Sequence, residues 1–215
     1  AAVGKSTVGR LLAQRLGWLY FDTGAIYRTL TWLAIDRRAD VDDGAALARL
    51  AADHAIAVDP AADAPGGYRV TVDGRDITDA LRSPGVDAVV SAVSRHPAVR
   101  RALLGAQRAI AAATPVVMVG RDIGTVVLPD ATLKVFLDAS PAERTRRRLR
   151  ERLRAGEPAI WPDELARTIA RDDQDRGRAT APLVAAADAL VIDTESLDAA
   201  GVVDAILARL GAHAG

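Results

Sequence analysis

Cysteine is absent from this 215-residue sequence, and aromatic residues make up only 4% of it. Without cysteine the chain forms no disulfide bond and no thiolate metal site, which fits the reducing environment of the cytoplasm. Half of the residues are hydrophobic, so the core must consist mainly of Ala, Val, Leu and Ile side chains. No apolar run reaches the ~18 residues of a membrane-spanning helix. These features predict a cytoplasmic globular protein without a membrane partner.

An excess of charge of either sign is also absent. Lys and Arg together number 28, as do Asp and Glu, so the formal net charge is zero. A balanced chain has no general attraction for nucleic acids or anionic membranes, and we expect neither as a partner. Almost all of the positive charge is arginine, because Lys5 and Lys134 are the only lysines. The three histidines lie far apart, without the spacing of metal ligands.

The first seven residues match the second half of the phosphate-binding loop pattern G-x-x-x-x-G-K-[ST]. In such a loop, backbone N–H groups surround phosphate oxygens at the start of a helix. Lys5 would contact the β- and γ-phosphates of a nucleoside triphosphate, and the Ser6 hydroxyl would bind Mg²⁺. We therefore assign an ATP site to Ala1, Ala2, Val3, Gly4, Lys5, Ser6 and Thr7. By itself the pattern fits a plain glycine-led helix start equally well.

Short apolar runs predict buried strands at residues 18–22, 116–119, 133–137 and 189–192. Predicted helices separate these runs, which is the pattern of a parallel α/β sheet. Each run ends in polar residues, at the edge where such sheets bind ligands. The sequence begins inside the loop pattern, so we expect an upstream apolar strand of about five residues, followed by the glycine that opens the loop.

Residues 56–78 have a different pattern. Alternating apolar and polar residues, with a turn at Asp73-Gly74, predict a small antiparallel sheet. We assign it to an inserted segment, 55–90, within a core domain formed by 1–54 and 91–215.

Arginines are concentrated in a predicted helix at residues 141–155. Arg144, Arg147 and Arg148 have the i, i+3, i+4 spacing that places them on one helix face. A solvated face balanced by the neighbouring glutamates would show the same pattern. Because a triphosphate site precedes this helix, we favour a lid over about 144–162 that closes arginines over the transferring phosphate.

The abundance of arginine also bears on the acceptor of the phosphate. Phosphoryl transfer depends on positioning and charge neutralisation more than on covalent chemistry. An acceptor phosphate is already a nucleophile near neutral pH and needs no general base, and this chain has no evident Ser/His/Asp set. A kinase acting on an anionic acceptor therefore suits the sequence. The mixed-charge stretch 171–178 fits an exposed helix end and a substrate-facing segment equally well.

Five blocks occur along the chain in a fixed order: G-K-S-T at 4–7, D-T-G-A-I-Y-R at 22–28, G-R-D-I-G-T at 120–125, V-F-L-D-A at 135–139 and R-D-D-x-D-R-x-R at 171–178. With these blocks the chain resembles the bacterial cytidylate kinases over nearly its whole length. The resemblance implies a P-loop nucleoside-monophosphate kinase with a parallel five-stranded core flanked by helices, whose first strand is missing here. It also implies a short helical lid and identifies the insert as monophosphate-binding.

The resemblance also implies a role for individual residues. Groups around the cytosine would be Thr23, Arg100 and Asp122. Ser91 and Asp175 would lie near the pentose, and Arg171 near the pentose and the phosphates. The acceptor phosphate would be bound by Arg28, Arg121 and Arg178. The residues expected to act in catalysis are Lys5, Arg121, Arg144 and Arg148, with Arg147 on the ATP.

The chemistry of the base pocket agrees with a cytosine substrate. The Asp122 carboxylate would accept a hydrogen bond from the cytosine amine, whereas uracil would present a carbonyl there and be repelled. Polar groups left unpaired by the wrong base make such discrimination worth about 1–3 kcal/mol. The alternative is that Asp122 caps the turn that follows its strand.

The predicted function is transfer of the γ-phosphate of ATP to CMP or dCMP, with Mg²⁺, by a monomeric enzyme that acts on small-molecule nucleotides. Two alternatives remain at this point. One is a related monophosphate kinase that also accepts UMP. The other is a non-catalytic nucleotide-binding module, for which the incomplete loop is the motive.

Overall fold

The structure is a computed structural model of the chain, and it describes residues 2–61, 63–64, 66–176 and 184–212, without the side chains of 171 and 173–176. The helices are α1 (Lys5–Leu16), α2 (Gly24–Asp36), α3 (Gly44–Asp53), α4 (Pro84–Ser94), α5 (Pro97–Ala113), α6 (Pro141–Arg154), α7 (Trp161–Arg176) and α8 (Ala199–Gly211). The strands are β1 (Leu19–Asp22), β2 (Ile56–Pro60), β3 (Tyr68–Val72), β4 (Arg75–Asp76), β5 (Val116–Val119), β6 (Val135–Asp138) and β7 (Leu190–Asp193).

The chain folds into two compact units. We call Ala1–Leu12 with Arg121–Gly215 the loop unit, because it contains the predicted phosphate-binding loop. We call Ala13–Gly120 the insert unit, because it contains the predicted antiparallel insert.

The insert unit contains a parallel pair of strands, β1 and β5, aligned from Leu19 opposite Val116 to Asp22 opposite Val119. The first three residues of β1 are buried. Phe21 is fully buried and its ring meets Tyr68 edge to face, with centroids 5.1 Å apart. The continuous apolar runs at 18–22 and 116–119 thus form parallel strands, as the sequence predicts.

The antiparallel sheet β2–β3–β4 belongs to the same unit. Its turn has Asp73 at φ 49° and Gly74 at φ 80°, the left-handed conformations that an Asp-Gly hairpin turn requires. The alternate residues Tyr68, Val70 and Val72 of β3 are buried in one core with β1 and α2. The antiparallel strands of the predicted insert, 55–90, therefore pack in one core with elements assigned to the core domain, and the boundaries at 54 and 91 stay a prediction.

In the loop unit, β6 pairs with β7 in parallel, from Val135 opposite Leu190 to Asp138 opposite Asp193. Helix α8 buries Val202, Val203 and Ile206 on its inner face. A π-helical turn, Ile123–Val127, follows the G-R-D block. The apolar spacing of the sequence does not predict this turn.

The α/β class, the parallel strands and the antiparallel three-stranded sheet are therefore confirmed. The parallel strands are hydrogen-bonded as two pairs, β1 with β5 in the insert unit and β6 with β7 in the loop unit. The limits of the elements follow capping chemistry. For example, the Asp43 carboxylate accepts hydrogen bonds from the N–H groups of Ala45 and Ala46 at the start of α3. Within the described residues, no helix is long and apolar enough to span a bilayer.

Candidate active site

The predicted phosphate-binding loop leads directly into α1 in the loop unit. Ala2 and Gly4 have φ values of 58° and 86°, and left-handed conformations of this kind curve a backbone so that its N–H groups can face an anion. The first helical hydrogen bond runs from the Val8 N–H to the Gly4 carbonyl, at 2.9 Å. Among the described residues, a side chain added at Gly4 would meet only Val8 Cγ2, at 4.0 Å, so this part of the loop backbone is not crowded by them. The Ser6 side chain is exposed and that of Lys5 is half-buried.

Arg147 on α6 contacts this loop. One of its Nη atoms lies 3.5 Å from the Ala2 carbonyl and donates to Thr194 Oγ1 at 3.1 Å, and the other donates to the Thr194 carbonyl at 2.6 Å. Its Nε donates to Glu143, one turn earlier, at 3.0 Å. The structure therefore brings a predicted ATP-binding arginine beside the loop, held by the end of β7.

Arg144 and Arg148 differ in environment although they are one turn apart on α6. Arg144 is buried, and its two Nη atoms bond the two carboxylate oxygens of Asp172 at 2.6 and 2.5 Å. This hydrogen bonding to Asp172 raises the pKa of the Arg144 guanidinium. Its Nε donates to the Ala139 carbonyl at 3.0 Å. Arg144 therefore fastens α6 to α7, whereas the Arg148 side chain is 44% exposed.

A cavity of about 540 Å³ lies between α6 and α7 in the loop unit and reaches Ala2 of the loop. Most of its lining residues are charged, with Arg144, Arg148, Arg152 and Arg167 beside carboxylates that include Glu164. Such a lining can receive a polyanion only where its arginines are not fully paired internally.

Asp122 is buried and begins the π-helical turn. Its carbonyl accepts hydrogen bonds from the N–H groups of Val126 and Val127 at 2.9 and 3.2 Å. Within this described turn the Asp122 side chain makes no capping hydrogen bond. The backbone alone forms these bonds of the turn, and the lack of a side-chain cap argues against a helix-capping role for the carboxylate. Arg121 precedes it and is half-buried.

Thr23 is a buried residue at the end of β1 in the insert unit. Its N–H and its hydroxyl both donate to the Val119 carbonyl of β5, at 2.9 and 3.2 Å. Because the hydroxyl hydrogen is engaged in this way, the oxygen keeps lone pairs that can accept a hydrogen bond. The preceding residue, Asp22, accepts from the Gly24 N–H at 2.9 Å and so fixes the start of α2.

The other predicted substrate residues of the insert unit lie on its helices. Arg28 donates through Nη1 to the Leu81 carbonyl at 3.1 Å and to Asp87 at 2.5 Å. Arg100 donates through Nε to the Ser94 carbonyl at 3.1 Å and lies over the Tyr27 ring.

Ser91 is exposed on α4. Ala1 and Arg178 lie outside the described residues, as do the side chains of Arg171 and Asp175.

The sequence did not predict three acidic residues that pair with arginines of the candidate site. Asp87 pairs with Arg28, Asp172 with Arg144, and Glu164 with several arginines of α6 and α7. The pairs that join two different helices connect residues 12 to 59 positions apart. Periodicity within one helix carries no signal for contacts of that range.

The comparison with known proteins decides the family. A family model described as cytidylate kinase matches residues 1–211. The chain belongs to the cytidylate kinase family. It is similar to the cytidylate kinase of Pelotomaculum thermopropionicum, with 50% identity over 99% of this chain and 93% of that relative. It is also similar to the cytidylate kinases of Roseiflexus castenholzii, 48% identical over 98% and 90% of the two chains, and Geobacillus kaustophilus, 47% identical over 96% and 91%. The predicted resemblance to cytidylate kinases is therefore confirmed.

Proposed function

We propose that this protein transfers the γ-phosphate of ATP to CMP or dCMP, giving CDP or dCDP and ADP. The observation that carries the proposal is the phosphate-binding loop with an arginine of α6 at its carbonyl, found in a chain of the cytidylate kinase family. The relatives named above are cytidylate kinases, and the identity extends over nearly the whole chain.

On the ATP side, the loop backbone from Ala1 to Thr7 binds the phosphates and Lys5 neutralises charge on the transferring group. Arg147 adds a further cation beside the loop. The exposed Ser6 hydroxyl fits a Mg²⁺ ligand. In nucleotide sites Mg²⁺ typically takes few protein oxygens, and phosphate oxygens and water complete its coordination shell. When bound, this ion would supply charge neutralisation of the phosphates.

On the acceptor side, an oxygen of the CMP phosphate attacks the γ-phosphorus of ATP. The bond between that phosphorus and the β,γ-bridging oxygen breaks, and its electron pair remains on the ADP. Because the attacking oxygen is already anionic, the step needs charge stabilisation rather than a base. We assign that stabilisation to Arg28, Arg121 and Arg178 on the acceptor phosphate, and to Arg148 on the transferring group.

Arg144 has a different place in this proposal from that of Arg148. Its bidentate bond to the buried Asp172 occupies both Nη atoms. This pairing and its burial make Arg144 less accessible to a phosphate than the 44% exposed Arg148. We therefore give Arg148 the direct role and retain Arg144 as a catalytic candidate that acts after lid movement.

Selection for cytosine rests on Asp122, Thr23 and Arg100, with Ser91, Asp175 and Arg171 at the pentose. The Asp122 carboxylate makes no capping hydrogen bond to its turn, and a carboxylate is the type of group that accepts a hydrogen bond from an exocyclic amine. Uracil would place a carbonyl oxygen there, and two acceptors repel each other.

The test is a coupled assay of ADP release with CMP, dCMP, UMP and AMP as alternative acceptors. We expect rapid turnover of CMP or dCMP, with UMP slower by about tenfold or more. Equal turnover of UMP would contradict the cytosine-selective pocket and favour the broader monophosphate kinase. Binding of ATP without ADP release on any acceptor would favour the non-catalytic nucleotide-binding module.

We further propose a monomer that works in the cytoplasm, with nucleotides as its only substrates and no nucleic-acid or membrane partner. The balanced charge supports the absence of a nucleic-acid or membrane partner, and the absence of cysteine is consistent with the cytoplasm. Sedimentation equilibrium across a wide concentration range tests the monomer, since a dimer would give twice the mass of one chain.

A further inference from the structure

Glu164 is a buried carboxylate that the family blocks do not include. It lies in the first turn of α7, and its side chain is 6% exposed. One carboxylate oxygen is 3.1 Å from Arg152 Nη1 and 3.7 Å from Arg167 Nη1, and the other is 3.7 Å from Arg148 Nε. An ionised carboxylate is costly to bury unless it is paired. Glu164 is thus paired with arginines of both helices that line the cavity.

The three arginines are not equally available to a substrate. All three guanidinium nitrogens of Arg152 have partners, because Nε also bonds Glu157 and Nη2 bonds the Pro158 carbonyl. Hydrogen bonding to Glu164 raises the pKa of the Arg152 guanidinium. Arg167 is 62% exposed and lies on α7 itself.

Arg148 combines an anchored Nε with a position in the cavity lining, as a phosphate-binding residue requires. Among the described residues, its one ion pair is with Glu164, and it makes that contact through Nε. The Nη groups carry four of the five N–H donors of a guanidinium. Arg148 lines the same cavity as Ala2 of the phosphate-binding loop.

We infer that Glu164 is a positioning residue, whose buried carboxylate holds the Arg148 side chain in place for phosphoryl transfer. The inference rests on the proposed function. A free arginine side chain loses rotamer freedom when it is ordered. A fixed anion at Nε orders the side chain in advance, so the arginine meets the transferring phosphate without that cost.

The test compares Glu164→Gln with Asp163→Asn. Each variant removes one negative charge from the first turn of α7, but Asp163 is exposed whereas Glu164 is buried. We expect Glu164→Gln to lower kcat about tenfold and to change the KM for CMP less than about twofold. Asp163→Asn should keep kcat within about twofold of wild type. Thermal unfolding identifies any loss of folded protein, and Glu164→Asp, which keeps the charge, should retain more kcat than Glu164→Gln.

A double-mutant cycle separates positioning from a general structural role. In an Arg148→Gln background, Glu164→Gln should have less than about a twofold further effect on kcat, because its target is already absent. In an Arg167→Gln background the tenfold effect should persist. Equal effects of Glu164→Gln in both backgrounds, or none in the wild type, would overturn the inference alone. A wild-type protein without CMP-dependent ADP release would overturn the proposed function and this inference with it.

Discussion

At the scale of single residues, the conformation of Gly4 connects the loop to its proposed role. Its φ of 86° is left-handed, and a Cβ there would meet only Val8 Cγ2 at 4.0 Å. Replacement by Ala therefore introduces backbone strain rather than a clash. We expect Gly4→Ala to lower the free energy of unfolding by about 1–2 kcal/mol and to raise the KM for ATP.

The matched control is Gly105→Ala on α5, where the backbone is helical and nothing lies within 4 Å of the added methyl group. This variant should gain about 0.5–1 kcal/mol of stability, because Ala favours the helix, and leave the KM for ATP unchanged. Urea unfolding and initial rates measure the two quantities. An unchanged KM for ATP in Gly4→Ala would argue that the loop does not hold the phosphates.

Asp122 is the residue on which cytosine selection depends most in this account. We expect Asp122→Ala to lower kcat/KM for CMP by about a hundredfold or more, because a buried hydrogen-bonding group in a specific pocket is lost. The KM for ATP should stay within about twofold. Asp130→Ala, at an exposed aspartate in the same unit, serves as the control. A loss of kcat/KM for CMP that is matched by a comparable rise in the KM for ATP would instead place Asp122 at the loop or the metal.

At the scale of elements, the Arg144–Asp172 pair holds α6 and α7 together. Both side chains are less than 10% exposed, and removing one partner of a buried pair leaves an uncompensated charge. We expect Asp172→Asn to reduce the free energy of unfolding by about 3–5 kcal/mol. Asp188→Asn is the control, since Asp188 also pairs with a cation but is 66% exposed, and its loss of stability should be much smaller. Similar small losses in urea unfolding of both variants would contradict the role of the buried pair.

The elements themselves were largely predictable. The apolar runs predict the limits of β1 and β5 to within a residue. The Asp73-Gly74 turn follows from the preference of that pair for left-handed φ. The run predicted at 133–137 forms a strand shifted to Val135–Asp138. Local sequence does not determine which partner an arginine finds, and for this reason the different environments of Arg144 and Arg148 emerge only from the packing of α6 on α7.

The candidate site was predictable in a different way. The loop comes from a phosphate-binding pattern, and Thr23 and Asp122 come from blocks that resemble a family, so none of them depends on periodicity. Glu164 and Asp172 appeared only with the structure, because each acts across two helices. Their contribution is to decide which arginines are committed to packing and which are available to a phosphate.

At the scale of the whole molecule, the described elements fall into two compact units that divide the proposed chemistry. The loop unit carries the phosphate-binding loop, Asp122 and the arginines of α6, and the insert unit carries Thr23, Arg28 and Arg100. The zero net charge of the chain means that these local arginines, rather than a global field, must attract the nucleotides.

The most direct test of the central claim follows the transferred phosphate itself. Wild-type protein is incubated with CMP, Mg²⁺ and ATP labelled with radioactive phosphorus at the γ position, and the products are separated by chromatography. The account predicts label in CDP in a one-to-one ratio with the ADP formed. Label that appears only as inorganic phosphate, or remains in ATP, would contradict it.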